Sequence, residues 1–277
     1  MITSVTFGRT STEQGACLML PSMATRVFAV SDIHVDYDVN FQWVRRLSKA
    51  DYRDDILILA GDVTHKLGEL ASCLNEFATR FASVLFVPGN HDVWVLGEAP
   101  ERTSLQKFAE VMAVVERNGA SMQPYRRGDV LIAPMLSWYD YSFGEPSPDL
   151  YNMWMDFHAC RWPAQLGPGD VASYFMDQNQ RISTRGASKI ITFSHFLPRI
   201  DLIPAHVSSR HRLLDPVLGS ERLDRQLRQL GSCIHVYGHS HINRRIGIDG
   251  VTYINNAFGY PGEARITTRQ LLCIDEL

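Results

Sequence analysis

Side chains that could bind a metal ion or move a proton follow apolar segments at five places in the sequence. The five blocks are Asp32-Ile33-His34, Gly61-Asp62, Gly89-Asn90-His91-Asp92, Ser194-His195 and Gly238-His239-Ser240-His241. Each block alone has an ordinary explanation, because a single histidine is usually hydrogen-bonded and a Gly-Asp pair usually makes a turn. Their shared position after an apolar run predicts one common site. A donor set of carboxylate, amide and imidazole without thiolate suits Mn, Fe or Zn.

The segments that carry these blocks alternate between strand and helix patterns. In the first part of the chain the predicted strands are 25–31, 55–60 and 83–87, and the predicted helices are 40–50, 67–81 and 102–117. Farther along, the pattern predicts strands at 189–193, 233–237 and 270–274, a helix at 221–230, and a hairpin of 244–248 with 251–255 around Asp249-Gly250. This alternation indicates a layered α/β fold, in which ligands bind at the carboxyl ends of the strands.

In residue identity, order and position after strands, the five blocks resemble the signature of the calcineurin-like metallophosphoesterases. The resemblance extends from residue 32 to residue 241 and leaves the aromatic-rich segment 137–170 and the far C-terminus uncovered. It implies an α/β fold whose core is a layered β-sandwich flanked by helices, in four layers α/β/β/α. The metal site would lie at the carboxyl ends of the strands.

The resemblance also implies a centre of two divalent or trivalent metal ions, with Mn, Fe and Zn as the candidates. One ion would be bound by Asp32, His34, Asp62 and His241, and the other by Asp62, Asn90, His195 and His239. Asp62 would bridge the two ions. His91 would donate a proton to the leaving group, and Asp92 would orient His91.

Such a centre implies hydrolysis of a phosphate ester by a hydroxide that bridges the ions. The expected substrate is the phosphomonoester of a small metabolite or nucleotide. A phosphodiesterase or nuclease of the same superfamily, and a metal-binding scaffold of low activity, remain alternatives. Outside the blocks, the expected substrate-binding side chains are Arg161, Arg210, His211 and Arg212, and His206 belongs to the same polar segment.

The segment 137–170 has a different texture, because four prolines and three glycines are mixed with many Trp, Tyr and Phe residues. A flexible linker would be poor in aromatic residues. Two interpretations stay open, and they are compatible: a lid over the site, or a small aromatic core.

Composition bounds the remaining questions. The 277 residues are 45% apolar and 21% charged, with a net charge of −3, which argues against nucleic-acid and membrane partners. Five cysteines without a CxxC pair suggest reduced thiols and a cytoplasmic location. Residues 1–23 are expected to be a disordered leader, and 24–277 a single domain.

Overall fold

The computed structural model describes residues 24–277, and the leader expected at 1–23 lies outside them. Within the described residues, the strands form two sheets. In spatial order, the first sheet contains β11 (Leu272–Glu276), β1 (Arg26–Val30), β2 (Ile56–Ala60), β3 (Ser83–Val87) and β4 (Ala120–Ser121). The second contains β5 (Tyr125–Arg127), β6 (Val130–Pro134), β7 (Lys189–Phe193), β8 (Ile234–Tyr237), β10 (Val251–Asn255) and β9 (Arg244–Ile248).

The central strands of each sheet are parallel, so their carboxyl ends share one edge. Strands β1 to β4 run parallel, and so do β6, β7, β8 and β10. Antiparallel strands close the first sheet with β11 and the second with β5 and β9. The β9–β10 hairpin turns at Asp249 and Gly250, which have φ of 49° and 83°, as the Asp-Gly pair predicts.

Seven α-helices connect and cover the strands of the described chain. They are α1 (Asp38–Arg46), α2 (Leu67–Ala78), α3 (Ser104–Arg117), α4 (Pro148–Met153), α5 (Asp156–Ala159), α6 (Pro168–Met176) and α7 (Glu221–Leu230). Short 3-10 turns lie at His91–Val93, Asp177–Arg181, Ile200–Leu202 and His211–Val217. None of the helices in residues 24–277 combines the length and the apolar character that a membrane span requires.

The core is divided between three interfaces, which defines four layers. In β2, Ile56 and Ile58 face the second sheet, whereas Leu57 and Leu59 face helices α1, α2 and α3. A third cluster packs α6 and α7 against the outer face of the second sheet. Because both faces of β2 are covered, all five of its residues are buried. The predicted four-layer α/β/β/α architecture is confirmed.

Differences from the predicted elements are concentrated between residues 120 and 176. Strands β4, β5 and β6 were not predicted, because the first two are very short and lack a repeating apolar pattern. The expected loop at 137–170 contains α4 and α5 and the first turn of α6. Its aromatic side chains pack into the core cluster beneath the second sheet, where Trp138 stacks on Phe175 at a centroid distance of 6.0 Å.

Candidate metal centre

The sequence-predicted ligands lie where strands of both sheets end. Asp32 and His34 follow β1, Asp62 follows β2, Asn90 follows β3, His195 follows β7, and His239 and His241 follow β8. Five of these residues have a left-handed backbone, with φ between 42° for His34 and 68° for His239. This conformation is uncommon outside glycine and costs about 1–3 kcal/mol per residue. The surrounding contacts must therefore hold these turns, and strain of this kind is typical of functional sites.

Glycines allow the blocks to approach one another. A Cβ atom on Gly61 would lie 2.5 Å from Nδ1 of His195, and Gly61 has a φ of 84°. A Cβ atom on Gly89 would collide with the carboxylate of Asp62. Any larger residue at either position would push the blocks apart.

Three unprotonated atoms converge on one side of the site. His195 Nδ1 is 2.9 Å from the Ala60 carbonyl and must donate to it, because a carbonyl can only accept. His239 Nε2 likewise donates to the Val217 carbonyl, over 3.1 Å. In the neutral rings, the remaining nitrogens carry lone pairs, and His195 Nε2 lies 3.1 Å from both His239 Nδ1 and Asn90 Oδ1. Three lone pairs this close repel one another, and a cation between them would turn the repulsion into coordination.

The pKa values on this side agree with neutral imidazoles. Burial lowers the pKa of His195 and lowers that of His239 well below its usual range. Both rings therefore present a bare nitrogen, the form that binds a metal ion.

A second group of donors lies beside the first. His241 Nε2 is 3.3 Å from both His34 Nε2 and Asp32 Oδ1. Burial lowers the pKa of His241, but the carboxylates of Asp32 and Glu263 outweigh this effect and raise the pKa to about 10. Nε2 then carries a proton that a metal ion would displace. Buried Nδ1 of His34 has no hydrogen-bond partner within residues 24–277.

Asp62 lies between the two groups. Its Oδ1 is 3.4 Å from His195 Nε2, and its carboxylate also falls within 4.8 Å of the ligand atoms of His34 and His91. Burial, with the nearby carboxylates of Asp32 and Asp92, raises the pKa of Asp62 well above its usual range. A positive ion would remove this penalty. Both groups of donors are thus able to bind metal, and Asp62 is within reach of each.

His91 faces the open side of the centre. Its ring stacks on Trp94 with centroids 3.6 Å apart, and its Nε2 lies 3.4 Å from the hydroxyl of Tyr260. His91 is partly exposed, whereas all seven candidate ligands are buried. Burial and the neighbouring imidazoles of His34 and His195 lower the pKa of His91 well below its usual value.

The prediction that Asp92 orients His91 is wrong. The Asp92 carboxylate accepts four backbone hydrogen bonds of 2.8–3.1 Å, from Asp62, Val63, Thr64 and Gly89. The 3-10 turn at His91–Val93 directs Asp92 into the core while His91 faces outward. Asp92 therefore ties the loop after β2 to the loop after β3, and so fixes the main chain of Asp62.

The family model for calcineurin-like phosphoesterases matches residues 25–243 of this chain. The chain belongs to this family. It is a metal-dependent hydrolase of phosphoester bonds, and the resemblance carried by the five blocks is confirmed.

Two comparisons with individual proteins extend this result. The chain is 27% identical over 264 residues to the acyl-carrier-protein phosphodiesterase PptH of Mycobacterium tuberculosis, which covers 86% of this chain and 79% of that protein. The crystal structure of phosphopantetheinyl hydrolase PptH from the same organism superposes with a TM-score of 0.73 at 22% identity, covering 91% of this chain and 97% of the other. The superposition shows that the two chains share a fold.

A cavity of about 510 Å³ adjoins the centre of this phosphoesterase. Its floor is formed by Asp62, Asn90, His91, His239 and His241. Its apolar wall contains Trp154, Ile203, Val207, Leu214, Leu218, Ile242 and Ile266. Its rim includes the exposed residues His206, Ser208 and His211. Candidate metal ligands, apolar side chains and exposed residues therefore share the lining of one cavity.

Three of the four side chains expected to bind substrate are not among the residues that line this cavity. The Arg161 guanidinium donates to the carbonyls of Ala99 and Arg102, at 2.7 and 3.3 Å, so it ties two loops together. Arg212 pairs with Asp215 at 3.3 Å. Arg210 is exposed and does not line the cavity described here, whereas His211 does.

Sequence reasoning missed several residues at the centre. Tyr260 stacks on His34 at a centroid distance of 4.4 Å, and Glu263 accepts a hydrogen bond from His241 Nδ1 over 2.6 Å. Asp156, inside the aromatic segment, accepts one from Asn90 Nδ2 over 2.8 Å. Each is a single residue without a motif, so the only available signals were the glycine-rich turn after β10 and a lone carboxylate among aromatic residues.

Proposed function

We propose that this phosphoesterase hydrolyses the phosphodiester that joins a phosphopantetheinyl group to an acyl carrier protein. The observation that carries the proposal is the cavity, which is lined by candidate ligands, by apolar side chains and by exposed residues. A phosphopantetheinyl arm is long, narrow and partly apolar. With the phosphodiester at the ligand cluster, the arm can lie along the wall while its point of attachment to the carrier protein stays beside the cluster. The similarity to PptH supports the same substrate class.

The proposal assigns the ligands as the resemblance implies. Asp32, His34, Asp62 and His241 would hold one ion, and Asp62, Asn90, His195 and His239 would hold the other. Mn, Fe and Zn all suit this set of oxygen and nitrogen donors. Bound ions supply positive charge that binds the phosphoryl oxygens and activates water.

The protein's own side chains complete the reaction. His91 faces the cavity at the centre, and we propose that it donates a proton to the leaving oxygen of the carrier protein. Burial and the neighbouring imidazoles favour the neutral ring, whereas the negative charge of a phosphodiester beside it would favour the imidazolium. The stack on Trp94 and the hydroxyl of Tyr260 hold the imidazole in place. Asp92 holds the main chain around Asp62 in place, because its carboxylate accepts hydrogen bonds from four backbone N–H groups.

The apolar wall gives this substrate an advantage over the small phosphomonoester expected from the sequence. A compact monoester would contact the floor of the cavity and leave most of the wall unused. We also propose a cytoplasmic location, which fits the four free thiols Cys73, Cys160, Cys233 and Cys273 of the described chain.

The test compares three substrates with the purified enzyme loaded with Mn²⁺. They are a carrier protein bearing phosphopantetheine, free phosphopantetheine as a monoester, and an aryl phosphodiester. We expect the carrier protein to lose its arm, which mass spectrometry detects as a loss of mass, with a kcat/KM above that for the monoester. Faster turnover of the free monoester would instead support the small-substrate alternative and contradict the proposal.

A pair of matched variants tests the role of the wall. Val207→Asp places a charge on the wall of the cavity, whereas Val39→Asp places the same charge on the outer surface of α1, where Val39 is 48% exposed. We expect Val207→Asp to raise KM for the carrier protein about 10-fold or more and to leave the aryl diester unaffected. Val39→Asp should change neither value. An equal effect on both substrates would show that the wall does not select the arm.

A further inference from the structure

A carboxylate from the C-terminal segment holds one of the candidate ligands. Oε2 of Glu263 accepts a hydrogen bond of 2.6 Å from His241 Nδ1. With Nδ1 turned toward Glu263, Nε2 is the nitrogen that faces Asp32 and His34, at 3.3 Å from each. Glu263 therefore fixes both the orientation of the ring and the nitrogen that it presents.

The turn that carries Glu263 is built around this contact. The Tyr260 N–H donates to the same Oε2 over 2.8 Å, and the Glu263 carbonyl accepts from the N–H groups of Ile266 and Thr267. Gly259, with a φ of 75°, has no room for a side chain, since its Cβ would lie 2.9 Å from Glu263 Oε2. This turn lies beyond residue 243, where the match to the family model ends.

A second carboxylate holds a ligand on the other side of the centre. Asp156 accepts hydrogen bonds from Asn90 Nδ2 at 2.8 Å, from Trp94 Nε1 at 2.7 Å and from Trp154 Nε1 at 2.9 Å. Because the amide nitrogen is engaged, the oxygen of Asn90 faces His195 Nε2, at 3.1 Å. Asp156 is 2% exposed and belongs to α5, within the aromatic segment.

We propose that Glu263 and Asp156 are positioning residues, each serving a different ion: Glu263 holds His241 for one, and Asp156 holds Asn90 for the other. Neither belongs to the five blocks. The inference rests on the ligand assignment in the proposed function. Carboxylates that orient a metal ligand typically contribute about 10–100-fold to metal affinity. The aromatic segment and the C-terminal turn would thus tune the two ions separately.

The test is a Mn²⁺ titration of the full chain by calorimetry and equilibrium dialysis, without substrate. We expect Glu263→Ala to weaken one of two Mn²⁺ sites about 10–100-fold, and Glu263→Gln to recover part of the loss, since its amide oxygen can still accept from Nδ1. Asp156→Ala should weaken the other site by a similar factor, and Asp156→Asn by a smaller one, because its amide oxygen can still accept from Asn90 Nδ2. Thr267→Val is the matched control, because it removes a hydrogen bond within the same turn and leaves Glu263 Oε2 free to bind His241.

Double variants identify which ion each carboxylate serves. In a His241→Ala background, Glu263→Ala should have no further effect on Mn²⁺ affinity, whereas Asp156→Ala should keep its full effect. An Asn90→Ala background should show the reverse. If Asp156→Ala fails to fold, Trp154→Phe, which removes one donor from Asp156, should weaken the same site by a smaller factor.

Two results would overturn the inference: both Mn²⁺ sites at wild-type affinity in Glu263→Ala and in the Asp156 or Trp154 variant, or full effects that persist after the partnered ligand is removed. A wild-type enzyme that binds two Mn²⁺ ions but does not cleave the carrier protein would contradict only the proposed function. The positioning roles would stand, because their readout is metal affinity.

Discussion

Two kinds of buried histidine lie on the same pair of strands and behave differently. His235 lies inside β8, and its nitrogens meet Thr192 Oγ1 at 2.7 Å and Ser194 Oγ at 3.0 Å. His195 and His239 lie just beyond the ends of β7 and β8, and one nitrogen of each faces the other at 3.1 Å. Within a strand the protein satisfies the ring by itself. At the edge of the sheet it leaves a lone pair for a ligand from outside.

This difference separates structural from ligand-binding histidines better than burial does. His235 and His195 are 0% and 1% exposed, so burial cannot tell them apart. What distinguishes them is whether both ring nitrogens have a protein partner of opposite character. If this criterion is correct, substitutions of the polar residues at the edge of the sheet should affect metal binding or catalysis, whereas substitutions of His235 should affect only stability.

The largest effect is expected for Asp62→Ala. Asp62 is within reach of both groups of donors, so its loss should reduce the content of both ions and lower turnover by several orders of magnitude. Elemental analysis and phosphodiester hydrolysis measure the two effects. Asp129→Asn, a change on the exposed β5–β6 turn, should leave both values at wild type. Two fully bound ions in Asp62→Ala would contradict the bridging position.

His91→Ala should separate catalysis from metal binding. His91 lies at the edge of the sheet but points into the cavity, so both ions should remain. Hydrolysis of esters with poor leaving groups should fall about 10²–10⁴-fold, while aryl esters with good leaving groups should lose much less. The measurement is a series of leaving groups of increasing pKa. His65→Ala, a nearby histidine outside the blocks, serves as the control. A uniform loss across the series would remove His91 from the role of acid.

How far the sequence predicted this site depends on where each signal lies. The ligand blocks were predictable because each is local: a strand, a turn and a polar residue within a few positions. Asp156 and Glu263 act through contacts with residues 66 and 22 positions away in the chain, and no local pattern marks such contacts. The position of Arg161 was not predictable for a related reason, since it binds loop carbonyls that only the folded chain brings near.

Metal removal offers an intermediate effect. If the bare nitrogens at the edge of the sheet are held by ions, Mn²⁺ at 100 times its Kd should stabilise the fold by about 2.7 kcal/mol, which raises Tm by about 5 °C for a chain of this size. Differential scanning calorimetry with EDTA or Mn²⁺ gives the shift. The Asp62→Ala variant should show little of it. An equal shift in that variant would mean that Mn²⁺ binds elsewhere.

The smallest effect near neutral pH is expected at the interior histidine His235, and a pH titration tests it. Burial lowers the pKa of His235 to about 3, and no charged group contributes to that shift. Unfolded histidine has a pKa near 6.5, so between pH 6.5 and 3 the unfolded chain binds a proton that the folded chain does not. The contribution of His235 to stability should therefore fall as the pH decreases through this window, by up to about 1.4 kcal/mol per pH unit, and stay constant above it.

Buried carboxylates titrate in the same range, so the measured quantity is the difference in unfolding free energy between wild type and His235→Gln. That difference should change with pH below 6.5, while Mn²⁺ affinity at neutral pH stays the same in both proteins. A pH-independent difference would mean that His235 accepts its proton in the folded state, and the contrast with His195 and His239 would then be one of degree.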